Sequence, residues 1–109
     1  MAYNEEVDTR IKKIVSRWKN TENKKMFGGV CHLLKGNMFC GVYKGYLILR
    51  LGEKGAEEAM RSEYVRPFDI TGKPMKGWVM IDQEGFKDDE LLEEFLVEAK
   101  DFVKTLPPK

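Results

Sequence analysis

Apolar residues recur at Val7, Ile11, Ile14, Val15 and Trp18, at spacings of four, three, one and three. On a 3.6-residue period they form one stripe, which predicts a first helix. Asn4 is placed to cap it, and Glu5 and Glu6 suit the positive end of its dipole. Arg10, Lys12, Lys13 and Arg17 lie off the stripe, toward water. The polar run KNTEN ends the pattern. Three strands are then expected in KKMFGGVCHLL, MFCGVY and YLILRL, joined at KGN, where Gly36 and Asn37 suit a tight hairpin, and at Lys44 and Gly45. Met26, Phe27, Gly29 and Val30 are echoed twelve residues later by Met38, Phe39, Gly41 and Val42. The echo reads as two neighbouring strands in similar surroundings. Gly28, Gly29 and Gly41 inside strands point to bulges or close backbone approach.

A short second helix is expected from near Lys54, with a narrow apolar face of Ala56, Ala59 and Met60. YVRPFDI reads as extended, and Pro67 confines it to an edge or a bulge. Gly77 and Pro74 shape a turn. KGWVMI is then a strand whose unbroken apolar run asks for cover on both faces. The last helix begins at Asp88 or Asp89. Its stripe is Leu91, Leu92, Phe95, Leu96, Ala99, Phe102, Val103 and Leu106, and Pro107 and Pro108 end it. The order is α-β-β-β-α-β-β-α. It implies one α+β domain over residues 1–109, an antiparallel sheet of about five strands with helices packed on it. Trp18, Trp78, Phe95 and Phe102 are assigned to its core.

Composition adds limits. The chain has 109 residues, 42% of them apolar, enough for one core without disulfide or metal. Its net charge of +1 hides an asymmetry: residues 1–80 carry 15 Lys and Arg against 9 Asp and Glu, and residues 81–109 carry 4 against 9. A basic body and an acidic last helix can meet within the molecule, give it a dipolar surface, or simply face water. MAYNEEVDTR has neither a basic n-region nor an apolar h-region, and no apolar run approaches the roughly 20 residues of a membrane span. A cytoplasmic location without membrane contact is expected, with Cys31 and Cys40 as reduced thiols.

No catalytic set is evident. One histidine and two cysteines cannot supply four zinc ligands. His32 adjoins Cys31, so in a strand the two point to opposite faces. Cys31 and Cys40 could lie across the first hairpin as packing residues. Ser16 and Ser62 lack an elbow motif. FGGVCHLLKG is not a phosphate loop, and the glutamates after Gly52 and Gly55 would repel an anion. The protein is expected not to be an enzyme and to need no cofactor or metal. Lys24, Lys25, Lys73, Lys76, Arg50 and Arg66 sit beside Phe27, Phe68 and Trp78, a mixture able to contact phosphates and stack bases. If those aromatics are core, the bases are only solvated charge. Nucleic-acid binding therefore stands as the alternative reading. A third is a small-molecule pocket near Met26, Phe27, Met75 and Trp78.

KKMFGGVCHLLKGNMFCGVYKGYLILRLG, RPFDITGKPMKGWVMID and the closing LPPK closely resemble the TfoX N-terminal domain family, the TfoX/Sxy-like proteins. The runs K-M-F-G-G, G-N-M-F-x-G, R-P-F and G-[KR]-P-M-K-G-W stand in the family's order. The resemblance implies a small α+β domain with helices against an antiparallel sheet. It also implies a regulatory role, since named members are competence regulators thought to act as coactivators with a DNA-bound cyclic-AMP receptor protein. No catalytic residues are established for the domain. The longer regulators carry a second, C-terminal domain, and this chain corresponds to the first. The expected function is a non-enzymatic regulatory or protein-interaction module. The expected partner is a protein, with a DNA-bound transcription regulator as the candidate, and homodimerisation stays open. Lys24, Lys25, Lys73 and Lys76, with Arg66 nearby, are the expected interaction surface, because both lysine pairs precede strands that read as central.

Overall fold

The structure is a computed structural model that describes residues 5–26, 29–68 and 76–107. In chain order it has α1 (Glu5–Val15), β1 (Thr21–Met26), β2 (Gly29–Leu34), β3 (Asn37–Tyr43), β4 (Tyr46–Arg50), α2 (Gly52–Ala59), β5 (Val65–Pro67), β6 (Trp78–Ile81), a 3-10 turn (Gln83–Phe86) and α3 (Asp89–Val103). The strands form one antiparallel sheet in the order β1-β2-β3-β4-β6-β5. The architecture is α+β as expected, with six strands where about five were expected. The extra strand comes from splitting KKMFGGVCHLL. Its first part joins the polar residues before it as β1, which folds back so that Lys25 faces Val30. TENKKM has no apolar alternation because β1 is an edge strand with one neighbour. Lysines are what such an edge uses against unwanted pairing.

Local chemistry explains the turns. Lys35 and Gly36 both take positive φ, 51° and 85°, the two-residue loop whose twist matches its flanking strands. The twelve-residue echo is a real neighbourhood: β2 lies beside β3, with Val30 opposite Val42. The glycines mark close approach. A Cβ on Gly41 would sit 2.7 Å from the Val30 carbonyl oxygen and 2.9 Å from the Met38 methyl. The ladder's irregularity lies elsewhere, between His32 and Leu33, where Phe39 becomes the extra residue of β3. Phe39 is fully buried and its ring meets Trp18 at 5.7 Å. Gly28 and Asn4 lie outside the described residues.

The main core joins Val7, Ile11 and Val15 of α1, Ala56 of α2, and Leu92, Leu96, Ala99 and Val103 of α3 to alternate residues of the sheet. α3 carries the stripe expected of it with one exception. Leu91 is 41% exposed, because the buried arc is narrower than the apolar run in the sequence. Trp18, Phe95 and Phe102 are half-buried against the core rather than within it. Trp78 is half-buried and stands apart from the cluster, so its assignment to the core is corrected. α2 starts at Gly52, two residues before the expected Lys54, with Gly52 at φ 82°. Its nearest neighbour at the missing Cβ is the Phe102 ring of α3.

Candidate functional site

Directly opposed residues of a ladder share a face, and successive residues alternate. The registers therefore sort the sheet into two faces. Val30, Val42, Leu47, Ile81 and Val65 make one cross-strand row on the helix-covered face. Lys24, Cys31, Gly41, Ile48, Met80 and Arg66 make a row on the opposite face. Tyr46 and Arg50 share that opposite face with Ile48, and Trp78 stands across from Arg50. Ile48 and Met80 are buried and form its floor. Tyr43, Tyr46, Arg50, Phe68 and Trp78 are half-buried, and Lys44 and Arg66 are exposed.

These side chains are paired in a repeated way. The Arg50 guanidinium lies 5.4 Å from the centre of the Trp78 ring. Arg66 lies 5.5 Å from Tyr46, and the Lys44 ammonium 5.5 Å from Tyr43. The Phe68 and Trp78 rings meet at 6.0 Å with a 39° tilt. Cations over ring faces are held by the ring quadrupole. Among the described residues, none of these three cations has an ion pair: the salt bridges join Arg10 to Asp89, Lys12 to Asp8 and His32 to Asp8.

The sequence-derived surface is only partly brought together. Lys24 and Lys25 lie within edge strand β1 rather than before a central strand, and their side chains alternate to opposite faces. Arg66 shares the Lys24 face but lies on β5, at the other edge. Five strand spacings separate them, about 24 Å. Lys76 is exposed in the turn leading to β6, two residues from Trp78. Lys73 lies outside the described residues, as do Phe27 and Met75 of the small-molecule reading. Arg50 belonged to the nucleic-acid reading and not to the expected protein surface, and Tyr46 and Tyr43 to neither, though the alternation in YKGYLILR places Tyr46 and Arg50 on one face.

A second cluster is buried. His32 on β2 donates Nε2–H to Asp8 Oδ1 of α1 at 2.7 Å, and the Lys12 ammonium lies 3.2 Å from Asp8 Oδ2. Burial pushes the His32 imidazole below its ordinary value, against the opposing pull of the Asp8 hydrogen bond. Cys40 stands directly opposite His32, while Cys31 pairs with Gly41 on the other face. Cys31 and Cys40 are therefore diagonal, not opposed. Both are free and buried, and burial raises both thiols, Cys40 well above the ordinary range. A Cys-His-Asp set so enclosed lacks the exposure a reactive thiol needs. Asp8 went unnoticed in the sequence, yet its spacing of three to Ile11 and seven to Val15 puts it on their stripe.

Arg10, expected to face water, instead spans to α3. Its Nε donates to Asp89 Oδ1 at 3.0 Å and its Nη2 to the carbonyl oxygens of Phe86 and Lys87 at 2.7 and 3.2 Å. Basic body and acidic helix thus meet here, beside a groove that Lys13, Arg17, Glu90 and Glu93 also line. Among the described residues, no three His, Cys, Asp or Glu side chains are grouped to hold a metal, and no helix is long and apolar enough to cross a membrane.

These elements define a six-stranded α+β domain with three helices joined to one face of its sheet and a cationic, aromatic patch on the other. The model of the TfoX N-terminal domain family matches residues 13–103, most of the chain, and the protein belongs to that family. No curated protein and no solved structure gives a significant match.

Proposed function

We propose that this chain is a non-catalytic regulatory module that acts in the cytoplasm by binding a protein partner, a DNA-bound transcription regulator being the partner the family favours. The observation that carries this reading is the patch itself. Arg50 and Arg66 are seated on aromatic rings and have no carboxylate partner among the described residues. Surfaces rich in Tyr, Trp and Arg are where protein interfaces concentrate their binding energy. Direct nucleic-acid binding is the second reading. It gains from Trp78 and Phe68 being half-buried and lying outside the core cluster.

The test is capture from extracts of the native cell with the purified chain as bait. A transcription regulator recovered in stoichiometric amount, and retained after nuclease treatment, is the expected result. Recovery of nothing above a bait-free control would end the protein-partner reading. Partners that vanish with nuclease would move the assignment to nucleic acid.

A further inference from the structure

We infer that the β4–β6–β5 face is a docking site for an acidic, extended protein segment that carries carboxylates and apolar side chains on the same side. This rests on the protein-partner reading above and adds the surface and the chemistry of what it binds.

Charge complementarity comes first. Lys44, Arg50 and Arg66 present three cations on one face, each held over a ring and none neutralised by a carboxylate of the described residues. A guanidinium already positioned loses little freedom when it takes a carboxylate in its fork. Ile48 and Met80 lie buried beneath them, so apolar side chains of a segment would meet the parts of the half-buried Tyr43, Tyr46 and Trp78 rings that stay exposed. Size comes second. Three strands span about 10 Å across, and the five residues of β4 run about 17 Å along. That is far below the roughly 800 Å² each partner buries in a standard interface between globular proteins. It matches an extended segment of about six residues.

Strand addition at the edges is disfavoured. β1 carries Lys24 and Lys25, and β5 is three residues long and ends in Pro67, which has no N–H to donate. The segment therefore lies across the face, not beside it. A second copy presenting the same face would bring like charges together. A nucleic acid would find few cations for its phosphates. It would also find the faces of Trp78, Tyr46 and Tyr43 each already approached by a side-chain cation.

The probe is a fluorescein-labelled 12-residue peptide repeating Glu-Glu-Leu-Val, which puts carboxylates and apolar side chains on both sides when extended, titrated by fluorescence polarisation and by 15N amide shifts. The controls are the same peptide with Lys for Glu, and labelled dT12. Binding of the acidic peptide alone is expected, with shifts confined to β4, β6 and β5. The double variant Arg50→Ala/Arg66→Ala should weaken it about tenfold or more. Arg50→Lys/Arg66→Lys, which keeps charge but loses the fork, should fall between. Should the alanine variant unfold, the lysine variant and the wild-type shift map decide. No binding by roughly 1 mM peptide, shifts elsewhere, or dT12 binding as tightly as the peptide would overturn the inference. If the captured partner persists on the double alanine variant, this surface is wrong while the module reading stands. If nothing is captured at all, it is the module reading that fails.

Discussion

At the scale of single residues, His32 is the most informative. It is 1% exposed, its Nε2 is 2.7 Å from a buried carboxylate, and it is the chain's one histidine. Burial holds it neutral by lowering its pKa below the unfolded value. The folded state then binds a proton less readily than the unfolded chain. Stability from this group is fully present above the unfolded pKa, near 6.5, and is lost as pH falls from there toward the folded value. Glu98, raised by burial and the Glu58 carboxylate, acts in the opposite sense and from the carboxylate end of the scale. Melting temperature should therefore drop between pH 7.5 and 5.5 in the wild type, and the slope should flatten in His32→Gln. An unchanged slope in the variant would show that His32 does not carry it. The thiols give a second check. Cys31 and Cys40 are buried and their thiolates disfavoured, so a thiol reagent should label them slowly in the native protein and promptly in denaturant. Fast native labelling of either would contradict its burial. Sequence alone placed Cys31 and His32 on opposite faces, because alternation in a strand is geometric. It could not supply Asp8 as the partner, because that contact joins residues 24 apart through tertiary packing.

At the scale of elements, the pattern served where at least one face is buried and failed where neither is. The stripes of α1 and α3 were legible because a 3.6-residue repeat has one solution. β1 was not, since an edge strand of polar residues offers no repeat. Leu91 was over-read because an apolar residue beside Leu92 looks like stripe until its exposure is known. The difference is measurable. Leu96→Ala removes a fully buried side chain and should cost about 2–5 kcal/mol, whereas Leu91→Ala should stay within about 0.5 kcal/mol. Equal losses by urea unfolding would mean that α3 is rotated from the position described. In the sheet, Gly41→Ala drives a Cβ against the Val30 carbonyl of the neighbouring strand. That strand's ladder fixes the oxygen, so relief requires parting β2 from β3. A loss of about 1–3 kcal/mol is expected, the usual scale for overpacking. A neutral result would show that the two strands stand further apart at this point.

At the scale of the whole molecule, composition revealed that the charges divide along the chain but not where the halves meet. Residues 1–80 are basic and 81–109 acidic, and Arg10 is a principal join. The patch was half legible for the same reason. Its residues alternate correctly in the sequence, but only strand order decides that Arg50, Arg66 and Trp78 are neighbours while Lys24 is far away. Arg10 also shows which part of a charge contact matters. Its Asp89 partner is 83% exposed, and an ion pair so placed contributes about 0–1 kcal/mol. The half-buried bond to the Phe86 carbonyl is different, because a charged donor to a carbonyl contributes about 1.5–3 kcal/mol. Phe86 is itself fully buried, and the guanidinium lies 5.6 Å from its ring centre. Arg10 therefore ties α1 to the turn that starts α3, mainly through backbone oxygens. Arg10→Ala should lose about 2 kcal/mol of stability and Asp89→Ala less than about 1 kcal/mol. Arg10→Lys should recover little, since a single ammonium cannot both stack on Phe86 and reach two carbonyls and a carboxylate. Raising salt to about 1 M should shrink the small Asp89 effect and leave most of the Arg10 effect, because short-range bonds are less screened than exposed pairs. Urea unfolding of the three variants at two salt concentrations separates these terms. If Asp89→Ala proves as costly as Arg10→Ala, and salt abolishes both, the helices are joined by charge alone and the backbone contacts add nothing.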